Sequence, residues 1–329
     1  VGPLALPVLE AMTAEEERGL HEGRGSQTVF KRTLGLREET REAVARFLEV
    51  SVENVALTGS TTDACNIVIA GVELGPEAEI VTTDSEHFGL IGPLHASGAR
   101  VVVSPPDPDA ILAAVTARTR LIAVSHVFWT TGALLPVAEL RERSGGVPVL
   151  VDGAQSIGAV PVSVAGVDFY TVSGQKWLCG PDGTGALVVA DPERLRVARP
   201  SYLSQASYEP DGAFVPRDGA RRFDPNWIAA PLLAGLVAAL ELRPQWAYDR
   251  AAETARDCRE RLADVVQTLP GDATLVAFRP PEGEEPAAAV DRLAEAGVII
   301  RELPGRNLLR ASVGWWTSDE DLRRLSAAL

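Results

Sequence analysis

The stretch Val147-Pro148-Val149-Leu150-Val151-Asp152-Gly153-Ala154-Gln155, with Asp168-Phe169-Tyr170-Thr171-Val172-Ser173-Gly174-Gln175-Lys176-Trp177 downstream, decides the fold. Residues 147–151 are an apolar strand ending in a carboxylate, and 168–172 are a second strand leading into a lysine. Strands of this kind belong to a parallel sheet covered on both faces. In such open sheets ligands sit just past the carboxyl ends of the strands. One aspartate and one lysine are therefore expected in a single crevice.

The lysine is unusual for this chain. Of 31 basic residues, only Lys31 and Lys176 are lysine. Arginine keeps its proton in a protein, whereas a desolvated lysine can present a free amine to a carbonyl. Its retention at Lys176, beside a tryptophan, suggests amine chemistry; the alternative is an ordinary surface lysine after a strand.

Upstream, short β-rich runs alternate with helical ones. Strands are expected at 54–57, 79–82, 100–103, 121–125 and 147–151, with helices at 63–70, 89–97, 109–116 and 137–143 between them. A last strand at 184–189 completes an α/β fold with a mostly parallel central sheet in a large domain over 36–230. Residues 1–35 form an N-terminal segment with a helix-like part at 14–20 and a glycine-bearing loop at 22–26, and a helix follows at 37–48. A long Pro/Gly-rich loop spans 199–227, and loops of that length are usually functional. Helices at 228–242 and 248–269 lead to a small α+β C-terminal domain over 231–329, with strands at 273–278, 298–301 and 308–312 and helices at 287–296 and 319–329.

Composition sets bounds. With 329 residues, two lobes are expected. A net charge of −14 argues against nucleic acid or an anionic membrane surface as partner. No apolar run approaches the roughly 20 residues that span a bilayer. Three cysteines (Cys65, Cys179, Cys258) without CxxC spacing point to neither disulfides nor zinc, hence to the cytoplasm. The four histidines lack metal-ligand spacing, so no metal is expected. The chain opens at Val1 without an initiator methionine, so residues preceding it are expected.

A strand breaking into Thr58-Gly59-Ser60-Thr61-Thr62-Asp63 and then a helix is a ready phosphate site, since first-turn N–H groups are unpaired and the helix dipole favours an anion. Ordinary N-capping by Ser60 or Thr61 is the alternative. The P-loop lysine is absent, which disfavours a nucleotide triphosphate. A phosphate cradle, a carboxylate (Asp152), an amide (Gln155) and a lysine (Lys176) meet the needs of pyridoxal 5'-phosphate: an amine for its aldehyde, an acid for its ring nitrogen, donors for its phosphate.

Six motifs carry a resemblance over nearly the whole chain: Gly59-Ser60-Thr61-Thr62, Asp84-Ser85-Glu86-His87, Ser125-His126-Val127-Phe128-Trp129-Thr130-Thr131-Gly132, Val151-Asp152-Gly153-Ala154-Gln155-Ser156, Ser173-Gly174-Gln175-Lys176-Trp177 and Leu309-Arg310-Ala311-Ser312-Val313. In these the sequence resembles fold-type I pyridoxal-phosphate enzymes of the class V aminotransferase and cysteine desulfurase superfamily. The resemblance implies that Lys176 forms the Schiff base, Asp152 pairs with the pyridinium and Gln155 contacts the ring hydroxyl. It further implies that Thr61, Thr62 and Ser173 hold the phosphate, that His87 stacks on the exposed ring face, and that Arg310 clamps the substrate carboxylate.

Departures from the pattern accompany it. Gln175 stands where a histidine commonly precedes the lysine, placing an uncharged donor toward the phosphate. Thr130 stands where relatives often have asparagine at a ring-hydroxyl contact. The segment Arg221-Arg222-Phe223-Asp224 resembles one that relatives send into the neighbouring subunit's site, with Trp227 near their phosphate-binding threonine. The desulfurases' nucleophilic cysteine has no counterpart in 298–309. The implied protein is a cytoplasmic homodimer acting on an amino acid, foremost a C–S β-lyase on cysteine, cystine or a cysteine conjugate, like cystine lyases or the sulfoxide lyases of thiol-histidine biosynthesis. An aminotransferase, epimerase or desulfurase using the same lysine is the alternative, and a non-catalytic binding protein of the same fold is another.

Overall fold

Two long helices precede the first strand of the computed structural model, which describes residues 2–329. Helix α1 spans Leu6–Glu22 and α2 spans Gln27–Leu48. The second begins earlier than the expected 37 because Ser26 is its cap, its Oγ accepting from Val29 N at 3.2 Å.

Seven strands follow: β1 (Val55–Thr58), β2 (Glu79–Thr83), β3 (Arg100–Ser104), β4 (Thr119–Ser125), β5 (Val149–Asp152), β6 (Phe169–Ser173) and β7 (Gly185–Val189). They form one sheet in the order β1-β7-β6-β5-β4-β2-β3. From β3 to β6 all pairing is parallel, whereas β7 runs antiparallel to both β6 and β1. The carboxyl ends of β1, β2, β4, β5 and β6 consequently share one edge. Every residue of β1, β2, β5, β6 and β7 is buried, the pattern of strands covered on both faces. Ile80, Leu121, Leu150 and Leu187 pack with Val68 of helix α3 (Thr61–Gly71) and with Leu90 and Leu94 of α4 (Phe88–Ala96). Each such side chain contributes about 1.5–3 kcal/mol by leaving water.

The stretch expected as one long loop, 199–227, contains β8 (Gln205–Tyr208) and β9 (Phe214–Pro216), a two-stranded ladder turned at Gly212. It then closes on α2. The carboxylate of Asp224 accepts from Arg37 at 2.8 Å, from Arg41 at 2.6 Å and from the Leu57 N–H of β1 at 2.9 Å. Arg41 also donates to the Val55 carbonyl. Arg221 pairs with Glu38 and Glu53, and Arg222 with Glu193, so the charged side chains of this segment are engaged within their own chain. Trp227 stacks on Phe30 with ring centroids 5.6 Å apart.

Two compact units result. The first comprises the described residues up to His126, Pro136–Ile157 and Val162–Arg243. The second comprises Val127–Leu135, Gly158–Pro161 and Pro244–Leu329. Its antiparallel sheet has the order β10 (Leu275–Phe278), β12 (Leu308–Ser312), β11 (Arg301–Leu303), backed by helices Ala247–Ala263, Pro286–Glu295 and Asp319–Ala328. The strand expected at 298–301 starts later because ladder bonding begins only where Arg301 faces Arg310. Among the described residues no helix is long and apolar enough to cross a membrane.

Asp224→Ala leaves two buried guanidinium groups and one strand N–H without their acceptor. Urea denaturation should show a loss of about 3–5 kcal/mol. A loss under about 1 kcal/mol, the range of exposed ion pairs, would mean that this contact does not hold β1 in place.

Candidate active site

At the end of β5, the Asp152 side chain is 95 % removed from solvent's reach, at 5 % relative exposure, and is tied down through one oxygen. Its Oδ1 accepts from Ala154 N at 2.9 Å and from Thr171 Oγ1 at 3.2 Å. Thr171 Oγ1 accepts in turn from Gly153 N at 3.1 Å. Among the described residues no hydrogen bond falls on Oδ2, so that oxygen suits an added N–H donor such as a pyridinium. Gly153 is required here, because a Cβ would lie 2.2 Å from the Thr171 carbonyl oxygen and 2.3 Å from the Tyr170 ring.

The next strand supplies the lysine. β5 and β6 are parallel neighbours, and Lys176 comes three residues after Ser173, the last residue of β6. The turn is tight: a Cβ on Gly174 would lie 2.0 Å from Thr184 Oγ1. Ser173 Oγ donates to Gln175 Oε1 at 2.8 Å, so the glutamine that stands where the resemblance leads one to expect a histidine is tied to the serine expected at the phosphate. Trp177 is buried and donates Nε1–H to Gln155 Oε1 at 3.0 Å. With its carbonyl oxygen engaged, Gln155 has its NH₂ left to donate, as a contact to a ring hydroxyl requires.

At the end of β1, Ser60 caps α3 by accepting from Asp63 N at 3.0 Å. Among the described residues no hydrogen bond engages the hydroxyl of Thr61 or Thr62. Both stand in the first turn of α3, where N–H groups favour an anion. At the end of β2, His87 caps α4, its Nδ1 accepting from Gly89 N at 3.0 Å. The neutral ring then carries its proton on Nε2, and it is exposed at the sheet edge. Gly89 approaches Thr62 so closely that a Cβ would lie 2.6 Å from the Thr62 hydroxyl. These donors, the acid and the lysine fit pyridoxal phosphate.

Eight expected residues thus belong to the first unit: Thr61, Thr62, His87, Asp152, Gln155, Ser173, Gln175 and Lys176. Thr130 and Arg310 belong to the second. Thr130 is buried there. Arg310, on β12, donates through Nη1 to the Trp129 carbonyl and lies 6.0 Å from that indole's centroid. Its Nε is buried without a partner, and burial, then the charge of Arg301, lowers its pKa to about 10.

Fold similarity accompanies this arrangement. The aminotransferase class-V family matches residues 3–289. The chain belongs to that family. An isopenicillin N epimerase of Streptomyces clavuligerus is 33 % identical, over 88 % of this chain and 83 % of that protein. A probable cysteine desulfurase of Methanothermobacter thermautotrophicus is 30 % identical, over 82 % of this chain and 71 % of its own length. Two solved structures of the cystine C–S lyase C-DES superpose with a TM-score of 0.91 at 28 % identity. They cover 98 % of this chain and 92 % and 93 % of theirs. One is a lysine-to-alanine mutant with glycine covalently linked to its pyridoxal phosphate, and the other holds cysteine persulfide, its reaction product. This class V chain has the α/β fold with a mostly parallel sheet that its sequence implied.

Three features escaped the sequence. Trp177 was legible only as a neighbour of the lysine. Glu86 was noted within a motif but given no task. The third is a buried chain of polar groups under the Asp152 loop: His126 Nδ1 lies 2.6 Å from the Tyr170 hydroxyl, which lies 2.6 Å from Ser156 Oγ. His126 N also donates to the Asp152 carbonyl at 3.1 Å.

Burial lowers the pKa of His126 from 6.5 to about 4. Stability held by the neutral imidazole is present above pH 6.5 and is lost as pH falls through 4. Melting temperature followed against pH should therefore drop in this window for the native chain. His126→Asn, which cannot titrate, should flatten that part of the profile; an identical acid limb in both proteins would refute the assignment.

Proposed function

We propose that this class V enzyme carries pyridoxal 5'-phosphate on Lys176 and removes the α-proton of an amino acid to expel sulfur from its β-carbon. When bound, the cofactor supplies an aldehyde for an amine and a ring that takes up the electrons left at the α-carbon. The chain's own groups divide the remaining work. Asp152 Oδ2 holds the proton at the ring nitrogen, and Gln155 donates its NH₂ to the ring hydroxyl. Thr61, Thr62 and Ser173, with Gln175 behind Ser173, bind the phosphate, and Thr130 serves the ring hydroxyl. His87 covers the ring face. The Lys176 amine takes the α-proton as general base, and Arg310, buried with one N–H unspent, receives the substrate carboxylate. Expulsion of a thiolate or persulfide from Cβ, followed by hydrolysis, yields pyruvate and ammonia.

One observation carries the lyase reading over a persulfide-forming desulfurase: all three cysteines are buried. Burial pushes Cys179 up to about 11, Cys258 up to about 12 and Cys65 well above its ordinary value. The thiolate is the nucleophile, and none of these thiols forms it at neutral pH. Sulfur then leaves on the product rather than on the protein. The likeness to C-DES supports this outcome. The 33 % identity with an epimerase favours a second reading, in which the α-proton returns to the opposite face of the same carbon. A cytoplasmic homodimer is part of the proposal.

Incubation with L-cystine should release pyruvate, and Lys176→Ala should lower the rate by about 10²–10⁴-fold or more. Exchange of the α-proton in deuterated water with inversion and no pyruvate would replace the lyase with the epimerase. Unimpaired turnover by the Lys176→Ala protein would exclude both.

A further inference from the structure

Glu86 is a buried acid that the proposed chemistry leaves without a role. It directly precedes His87, but unlike that exposed residue it is buried, against the carboxyl ends of β2 and β4. Its Oε1 accepts from Thr83 Oγ1 at 2.7 Å and from Ser125 N at 3.1 Å. Its Oε2 accepts from Ser125 N at 3.0 Å and from Ser125 Oγ at 2.5 Å. The backbone ladder between β2 and β4 pairs Val81 with Ile122 and goes no further. Beyond it, side chains join the strands: Thr82 Oγ1 donates to the Ala123 carbonyl at 2.7 Å, and Glu86 then takes the Ser125 N–H.

Ser125 is in turn the partner of Asp152 across the β4–β5 ladder. A continuous path therefore runs from Thr83 through Glu86 and Ser125 to Asp152, and its second member, Glu86, is the chain neighbour of His87. The strands part at this edge, as a ligand crevice requires, without becoming free to slide. Burial, opposed by its donors and reinforced by the charge of Asp152, lifts the Glu86 carboxyl to about 7. The groups that face it are Asp152 on β5 and the buried thiol of Cys65 on α3.

We infer that Glu86 is a positioning residue for the cofactor: it fixes the residue that covers the ring face, His87, relative to the acid at the ring nitrogen, Asp152. The inference rests on the pyridoxal-phosphate reading given above. Glu86→Ala removes the acceptor of two buried donors on Ser125 while leaving the side chains of Lys176, Asp152 and His87 themselves unaltered. Glu86→Gln keeps an acceptor for Ser125 and offers its NH₂ to Thr83 Oγ1.

Pyridoxal phosphate is titrated into the full-length apo chain, and visible circular dichroism of the bound cofactor reports the ring's setting. Glu86→Ala should weaken binding by about tenfold or more, as loss of an orienting partner does elsewhere, and should change the dichroic band. Glu86→Gln should restore both. Ser125→Ala, which keeps the backbone N–H, should move both readouts the same way by less; it decides the matter if Glu86→Ala does not fold. Native affinity and an unchanged dichroic band in folded Glu86→Ala, or in Ser125→Ala in its place, would overturn the inference. Failure of the native chain itself to bind pyridoxal phosphate would instead overturn the reading on which it rests.

Discussion

A carboxylate held at the end of a buried parallel strand is the constraint on which the site depends. Asp152 reaches the edge of the sheet only because 149–151 are apolar enough to be covered on both faces. It stays oriented because Ala154 N and Thr171 Oγ1 occupy one of its oxygens. The same parallel pairing carries β6 alongside and delivers Lys176 to that edge. The reversal of β7 brings β1 parallel to β6, and with it the helix start at Thr61 and Thr62. The placement of Asp152, Lys176 and the helix start at Thr61 is thus a consequence of one strand order.

Around that edge, buried polar groups hydrogen-bond to one another. Thr83, Glu86 and Ser125 form one set, and His126, Tyr170 and Ser156 another. In a low-dielectric setting such networks are rigid when complete and costly when broken. Arginine does comparable work further out. Arg37 and Arg41 converge on Asp224 and fix β1, a task for a planar cation that never releases its proton. On the proposed reading Lys176 is the basic residue that must release its proton, a task arginine could not perform.

The sheet was legible because its strands are short, apolar and separated by helices of regular period. Asp152 and Lys176 stood out because both are polar residues at strand ends. Less was legible where local signals conflict with tertiary ones. Gly23, Gly25 and Gly35 obscured how far α2 extends toward the N-terminus. The Pro- and Gly-rich stretch 199–227 read as a loop although Tyr208 and Phe214 pair in a ladder. Glu86 could not be read as buried, since an acid between serine and histidine looks like a solvated turn residue. Trp177 could not be matched to Gln155, because the contact joins two loops that only the β5–β6 pairing brings together.

The central claim concerns one covalent bond, and the composition makes it unusually easy to test. With only two lysines in the chain, borohydride reduction of the pyridoxal-phosphate-loaded protein followed by peptide mapping has two lysine side chains to tell apart. The account requires the reduced pyridoxyl adduct on the peptide bearing Lys176 and none on Lys31. An adduct confined to Lys31, or its absence from both peptides, would contradict it.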